Sequence, residues 1–223
     1  MSDGLDAPSL EDRLKDLIAQ IPPPTPSERG PGKKNYTEKF SHGLSDIIAS
    51  ELRALGLDRV KFPLRGRDKQ FMGGYGTKGV DVYLADDKHG LLLSSGTKGI
   101  VFDVRKNIKN RYRDMVMEAL ELHRRFPFAV CGHVLFLGKT EAAKPSRKFG
   151  TVLGEAVALL ETITERERPD EAPELYERMG IVLFNPGDPA SLEIAPRDVP
   201  QRLQFTEYCE GIVKAFHGRN PFY

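Results

Sequence analysis

The chain has few cysteines, no long apolar run and almost no net charge, and each shortage narrows the class of protein. Its two cysteines, Cys131 and Cys209, show no Cys-x-x-Cys spacing, and we interpret both as reduced core thiols of a cytoplasmic protein. The longest apolar run is far shorter than a membrane span, and the N-terminus lacks the basic-then-apolar layout of a signal peptide. A net charge of +1 shows no overall basic signature, so any nucleic-acid binding must come from a local patch.

Composition along the 223 residues predicts an arm, a linker and one domain. Ser9 and Asp12 form a capping-box pattern ahead of an amphipathic helix. Residues 22–34 are dense in proline and glycine, which predicts an extended linker. We therefore expect an N-terminal helical arm at 1–21, suited to contact a partner subunit, and a single α/β domain at 35–223.

Beyond the linker, helix and strand patterns alternate, which predicts a central mixed β-sheet flanked by helices on both faces. The run 128–137 is apolar enough to be a strand buried on both sides. The predicted helices are 36–55, 111–125, 151–166, 173–179 and 199–216, and the predicted strands are 79–85, 90–98, 128–137 and 180–185.

A glycine-rich loop before the first predicted strand does not fit a nucleotide-binding motif. Lys78 is followed by Gly79 and then by a strand, whereas a P-loop needs Ser or Thr after the lysine at the start of a helix. A Rossmann fingerprint also needs a helix after its glycines. The loop is more typical of a turn that brings the backbone close to another molecule, such as a DNA strand.

The most informative pattern is a hairpin with an acid on one strand and a lysine at the end of the other. Asp81 lies in the first run, and Lys98 ends the second. Phosphodiester hydrolysis commonly uses a hard divalent cation on carboxylates, with a lysine that orients water or offsets charge. Lys78 has the same Gly-Thr-Lys-Gly context, but it precedes its own strand and is the weaker candidate. An ordinary half-exposed strand pair is the alternative for the whole pattern.

Glu51 could supply a second acid from the helix at 36–55. It follows Ile47 by four residues and Ile48 by three, so it lies on or beside the apolar stripe. A carboxylate that points to the core is costly unless it is paired or binds a metal. The alternative is that Glu51 lies at the edge of the stripe and reaches solvent.

Cations are concentrated directly after Lys98, with asparagine and tyrosine between them. Such a segment suits contacts to phosphates and base edges, although a solvated run of charge has the same composition. We assign the following as candidate DNA-binding residues: Arg105, Lys106, Lys109, Arg111, Arg113 and Lys78.

Asp81, the apolar hairpin and Lys98 resemble the PD-(D/E)XK nuclease superfamily, the fold of many restriction endonucleases. The resemblance covers about residues 35–185, in the order helix, acid-bearing hairpin, lysine, helix and buried strand. It implies a restriction-endonuclease-like fold and Mg²⁺, with Mn²⁺ as a substitute, bound by Asp81 and by an acid two residues before Lys98. That position is Gly96. The resemblance suggests two replacement metal ligands, Glu51 from the preceding helix and Glu118 from the following one.

The resemblance therefore implies a Mg²⁺-dependent endonuclease that hydrolyses phosphodiester bonds of double-stranded DNA as a homodimer. Asp81, Lys98 and Glu51 are its expected catalytic residues, and a cognate methyltransferase or another defence component is an implied partner. Gly96 leaves an alternative open, an inactive nuclease-fold subunit that binds DNA or supports assembly. A metal-free protein-interaction module is a third possibility. His123, in the helix at 111–125, is more typical of a core histidine than of a ligand.

Overall fold

The computed structural model describes residues 8–25, 30–62 and 68–223. These residues form helices and strands in alternating groups. The helices are α1 (Leu10–Gln20), α2 (Gly30–Ala54), α3 (Val104–Arg125), α4 (Lys139–Ala142), α5 (Val152–Leu160) and α6 (Tyr208–Arg219). The strands are β1 (Lys69–Met72), β2 (Thr77–Val80), β3 (Val82–Asp86), β4 (Gly90–Ile100), β5 (Val130–Gly138), β6 (Pro145–Ser146), β7 (Gly150–Thr151), β8 (Arg178–Asn185) and β9 (Asp188–Glu193).

Five strands form one mixed sheet in the order β3-β4-β5-β8-β9. The three central strands run parallel, and β3 and β9 pair antiparallel at the two edges. In the parallel register Gly96 of β4 lies beside His133 of β5. The predicted hairpin is present as β3 and β4, but the predicted strand 79–85 is interrupted at Asp81, between β2 and β3, and β4 continues past Lys98 to Ile100. Two further short hairpins, β1–β2 and β6–β7, lie outside this sheet.

Helices cover both faces of the sheet, as predicted, and each face has its own apolar core. Helices α1, α2 and α6 pack on one face, and α3, α4 and α5 pack on the other. Strand β5 is buried along its whole length, which confirms the prediction of two-sided burial. Its side chains alternate between the cores, with Val134 and Phe136 in one and Leu135 and Leu137 in the other.

Helix α1 contributes side chains to the core that it shares with α2 and α6. The Ser9 hydroxyl accepts the Asp12 N–H at 3.1 Å, so the predicted cap is present. Leu14 and Ile18 are fully buried among side chains of the first core. Burial of each such side chain contributes about 2 kcal/mol relative to exposure. The apolar face of α1 is thus covered by its own chain.

Several predicted boundaries are wrong. Helix α3 begins at Val104 rather than at 111, so the basic segment is helical. The segment 173–179 is not a helix but leads into β8, because pairing with β5 outweighs its weak local pattern. Strands β1, β6, β7 and β9 were not predicted, and α5 ends at Leu160. Two 3₁₀ turns, Gln201–Leu203 and Phe205–Glu207, precede α6 where one helix was expected.

The predicted linker also differs, because α2 begins at Gly30 and includes Pro31 in its first turn. Proline is tolerated there, since an N–H in the first turn has no partner within the helix. Residues 26–29, in the middle of the predicted linker, and 63–67, in the basic part of the glycine-rich loop, lie outside the described residues. Within the described ranges, no helix is long and apolar enough to cross a membrane.

Candidate functional site

Asp81 lies at a bend between β2 and β3, at the edge of the sheet. The backbone N–H of Thr97 on β4 donates to Asp81 Oδ2 at 2.9 Å. Burial raises the pKa of Asp81 to about 6, and the negative charges of Asp68 and Glu118 add to this, while the Thr97 N–H and Lys98 oppose it. A partly buried carboxyl group among acidic neighbours is a typical electrostatic setting for a functional site.

Lys98 and Glu118 form an ion pair between β4 and α3. Lys98 Nζ is 3.1 Å from Glu118 Oε2. Burial by itself raises the pKa of Glu118, but Lys98 and His133 outweigh it and hold the pKa at about 2. Burial lowers the pKa of Lys98, and Glu118 and Asp81 more than reverse this, so that it is raised. Both side chains are therefore charged at neutral pH.

The carboxylate of Glu118 fills the space where a side chain at Gly96 would lie. A Cβ atom on Gly96 would be 2.7 Å from Glu118 Oε1 and 2.7 Å from His133 Nδ1. Real Cβ atoms essentially never approach so closely, so a side chain at 96 would require the Glu118 carboxylate and the buried ring of His133 to shift. An acid from α3 thus stands in the place where the resemblance expects an acid two residues before Lys98.

Glu51 does not reach Asp81. It forms an ion pair with Arg13 of α1. The side chains of α2 that approach this end of β4 are Ser41 and Ser45, whose hydroxyls lie 2.6 and 3.0 Å from Thr97 Oγ1. Glu51 follows Ser45 by six residues, or about 9 Å along the helix. The apolar stripe correctly indicates an inward-leaning Glu51, but an arginine of α1 is its partner.

A cleft of about 780 Å³ opens beside Asp81, bordered by α1 and α2. Asp68 and Glu38 also line this cleft, and neither was a candidate in the sequence. Asp68 lies in an irregular segment with no periodic pattern, so only its approach to Asp81 in space reveals it. The cleft thus brings three carboxylates to one opening.

The candidate DNA-binding residues Arg105, Lys106, Lys109, Arg111 and Arg113 are all exposed on the first half of α3. Arg105, Lys109 and Arg113 recur every four residues and so share one face of the helix. Lys109 Nζ lies 3.7 Å from Glu155, and Arg111 lies 2.9 Å from Asp114. Lys78 is half-buried on β2 and does not belong to this face. The same helix therefore presents cations at its start and Glu118 further along.

His133 and Glu121 complete the surroundings and were not predicted. His133 is fully buried, with Nδ1 3.5 Å from Glu118 Oε1, and burial lowers its pKa. Glu121 accepts the N–H groups of Tyr75 and Gly76 at 2.6 and 3.1 Å, which ties the β1–β2 hairpin to α3. His133 lies inside an apolar strand, and only the pairing of β4 with β5 brings it to the site.

Comparisons of the chain with family models, curated proteins and solved structures found no match. The class that the structure defines is an α/β protein with a mixed sheet flanked by helices. Its candidate site consists of Asp81, held by the Thr97 N–H of β4, and the Lys98–Glu118 ion pair, whose charges act on the pKa of Asp81. Function is inferred below from the chemistry of these three side chains.

Proposed function

We propose that the protein is a Mg²⁺-dependent DNA endonuclease of the restriction type, with a PD-(D/E)XK-like site formed by Asp81, Glu118 and Lys98. The observation that carries this proposal is the carboxylate of Glu118 in the space beside Gly96. The acid that the sequence lacks in β4 is supplied by α3. Glu118 replaces Glu51 as the second acid of the proposed site.

The donor set fits a hard divalent cation. Asp81 and Glu118 offer carboxylate oxygens, which Mg²⁺ and Mn²⁺ prefer, and few protein ligands leave positions for water and phosphate oxygens. Burial first, and then Asp68 and Glu118, raise the pKa of Asp81, so a bound cation would favour its ionised form. A bound cation supplies charge stabilisation at the phosphate and a more acidic water.

Lys98 is the proposed group that positions the attacking water or stabilises charge on the phosphate. Its ammonium stays protonated at neutral pH because Glu118 and Asp81 outweigh the effect of burial on its pKa. Its side chain remains 28% exposed, on the α3 side of β4 where it pairs with Glu118. A lysine in this place acts electrostatically, and such groups typically contribute a factor of about 100 to 1,000 to the rate.

The exposed cations of α3 are the proposed contacts to the DNA backbone. Phosphate contacts hold a duplex in register, and each neutralised phosphate releases counterions. Affinity for duplex DNA should therefore fall steeply between low and physiological salt. Cleavage of both strands by one type of site further suggests a homodimer, because a two-fold axis presents one site to each strand.

Cleavage of supercoiled plasmid DNA with Mg²⁺ or Mn²⁺ tests the proposal. Asp81→Asn, Glu118→Gln and Lys98→Ala should each reduce the rate by about a hundredfold or more. Glu51→Gln is the matched control, since it makes the same chemical change as Glu118→Gln outside the proposed site. If the Asp81 and Lys98 variants cleave plasmid at the wild-type rate, the assignment is overturned.

One observation favours a second candidate, an inactive nuclease-fold subunit that binds DNA or supports assembly. Glu118 and Lys98 already satisfy each other at 3.1 Å, so this part of the site is neutralised without a cation. Calorimetry separates the two. Heat of Mg²⁺ or Mn²⁺ binding that disappears in Asp81→Asn supports the enzyme, whereas DNA binding without metal binding supports the inactive subunit.

A further inference from the structure

Three metal-ligating side chains converge in the core between α3 and the sheet, away from the cleft. They are His123 of α3, Cys131 of β5 and Glu177, which directly precedes β8. One ligand atom of each lies within 4.8 Å of the others, and the side chains are almost completely buried. Among the described residues this is the one group of histidine, cysteine and carboxylate side chains with such spacing.

The ring of His123 is oriented as in many metal sites. Its Nδ1 lies 2.9 Å from the carbonyl oxygen of Pro173 and can donate a hydrogen bond to it. Its Nε2 is buried and has no hydrogen-bond partner within residues 8–25, 30–62 and 68–223. Metal-bound histidines commonly donate their other N–H to a carbonyl, which directs the free lone pair to the metal. A buried nitrogen left without a partner otherwise costs about 1 to 3 kcal/mol.

Glu177 divides its two oxygens between different partners. Oε1 accepts from Arg166 at 3.0 Å and also from Arg219. Oε2 accepts the N–H of Cys131 at 2.6 Å and lies 3.4 Å from His123 Nε2. Burial raises the pKa of Glu177, but His123, Arg219 and the Cys131 N–H lower it by more. The carboxylate is therefore ionised, and the arginines hold Oε2 toward the other two ligands.

We propose that His123 Nε2, Cys131 Sγ and Glu177 Oε2 form a zinc site, independent of the proposed Mg²⁺ site. Thiolate and imidazole with a single carboxylate favour Zn²⁺ over Mg²⁺, which prefers oxygen ligands. Nitrogen and oxygen ligands about 2.0 to 2.1 Å from a tetrahedral zinc are about 3.3 Å apart. The distance of 3.4 Å between His123 Nε2 and Glu177 Oε2 matches this edge. A water can take the fourth position.

A buried ion pair is the rival explanation of the same cluster. Burial lowers the pKa of His123, but Cys131 and Glu177 raise it to about 10, so a proton can take the place of the cation. Zinc binding needs a neutral imidazole and a thiolate, so it releases the protons that the cluster holds, and Arg166 and Arg219 remain bound to Glu177 Oε1. The zinc ion then links α3, β5 and the start of β8, which fixes the helix that carries Glu118.

Titration of the chelator-treated full chain with Co²⁺ and Zn²⁺ tests the proposal. We expect one equivalent of Co²⁺ to give a thiolate-to-cobalt absorption band that Zn²⁺ displaces. Cys131→Ser should abolish the band and weaken zinc binding at least about tenfold. The matched control is Cys209→Ser, since Cys209 is the other buried thiol and lies in the other core. It should retain both the band and the affinity.

A second variant keeps the zinc site testable even if Cys131→Ser misfolds. His123→Gln keeps the thiol and should still weaken zinc binding at least about tenfold. Asp81→Asn should leave the cobalt band unchanged, so failure of the Mg²⁺ proposal does not affect this one. Wild-type protein that shows no thiolate band with Co²⁺ and retains no zinc would overturn the site and leave the buried ion pair. A band that survives in Cys131→Ser or is lost in Cys209→Ser would also overturn it.

Discussion

The charge on Asp81 opposes folding of the protein. The pKa of this carboxyl group is 3.8 in an unfolded chain and about 6 in the fold, first because of burial and then because of Asp68 and Glu118. Its contribution to stability is therefore fully present below about pH 3.8 and is lost as the pH rises through about 6. Asp81→Asn removes the charge and keeps an oxygen for the Thr97 N–H. We expect this variant to be more stable than the wild type at neutral pH.

The expected gain in unfolding free energy follows from the shift in the pKa of Asp81. About two pKa units correspond to about 3 kcal/mol of unfolding free energy once the group is ionised. Asp81 is partly exposed, and solvent screening reduces this to about 1 to 2 kcal/mol. Mg²⁺ at ten times its dissociation constant should stabilise the wild type by about 1.4 kcal/mol and Asp81→Asn by much less.

Urea unfolding followed by circular dichroism measures these differences at about pH 4 and about pH 7.5, first with chelator and then with Mg²⁺. Asp58→Asn makes the same chemical change at an exposed position and should alter stability little at either pH. Two results would refute the reasoning. One is equal stability of Asp81→Asn and wild type at neutral pH, and the other is a gain that does not depend on pH.

Three further changes test the packing around the site and the core. Gly96→Ala should lower the unfolding free energy by about 1 to 3 kcal/mol in urea titration, because its methyl group would lie 2.7 Å from Glu118 Oε1. Leu14→Ala should lower it by about 2 to 5 kcal/mol, since this side chain of α1 is fully buried. Glu177→Gln should lower it by about 3 to 5 kcal/mol, because the buried guanidinium of Arg166 loses its counter-charge.

Each of these variants has a matched control. Gly218→Ala adds a methyl group where no atom lies within 4 Å and should not be destabilising. Leu55→Ala truncates a leucine that is 38% exposed and should cost less than Leu14→Ala. Glu11→Gln removes one partner of an exposed ion pair with Lys15, which is worth about 0 to 1 kcal/mol. A variant that does not differ from its control contradicts the packing described for it.

The sequence was sufficient to predict those helices and strands whose pattern depends on residues close together in the chain. Two apolar runs joined by a short polar turn predict the β3–β4 hairpin, and a continuous apolar run predicts the buried strand β5. Ser9 and Asp12 predict the start of α1, because a cap depends on residues three apart. Secondary structure was predicted wrongly where the sequence pattern was short. The pattern of residues 173–179 predicts a helix, although only Arg178 and Met179 have regular structure, as the start of β8 paired with β5.

Asp81 and Lys98 could be selected from the sequence, because local pairing of the predicted hairpin brings the residue just before β3 near the last part of β4. The second acid could not be chosen in the same way, since Glu51 and Glu118 were both candidates. The parallel pairing of β4 with β5 and the packing of α3 on that face bring Glu118 to the space at Gly96, while Glu51 pairs with Arg13. Such contacts join residues far apart in the chain, so only the tertiary structure could decide them.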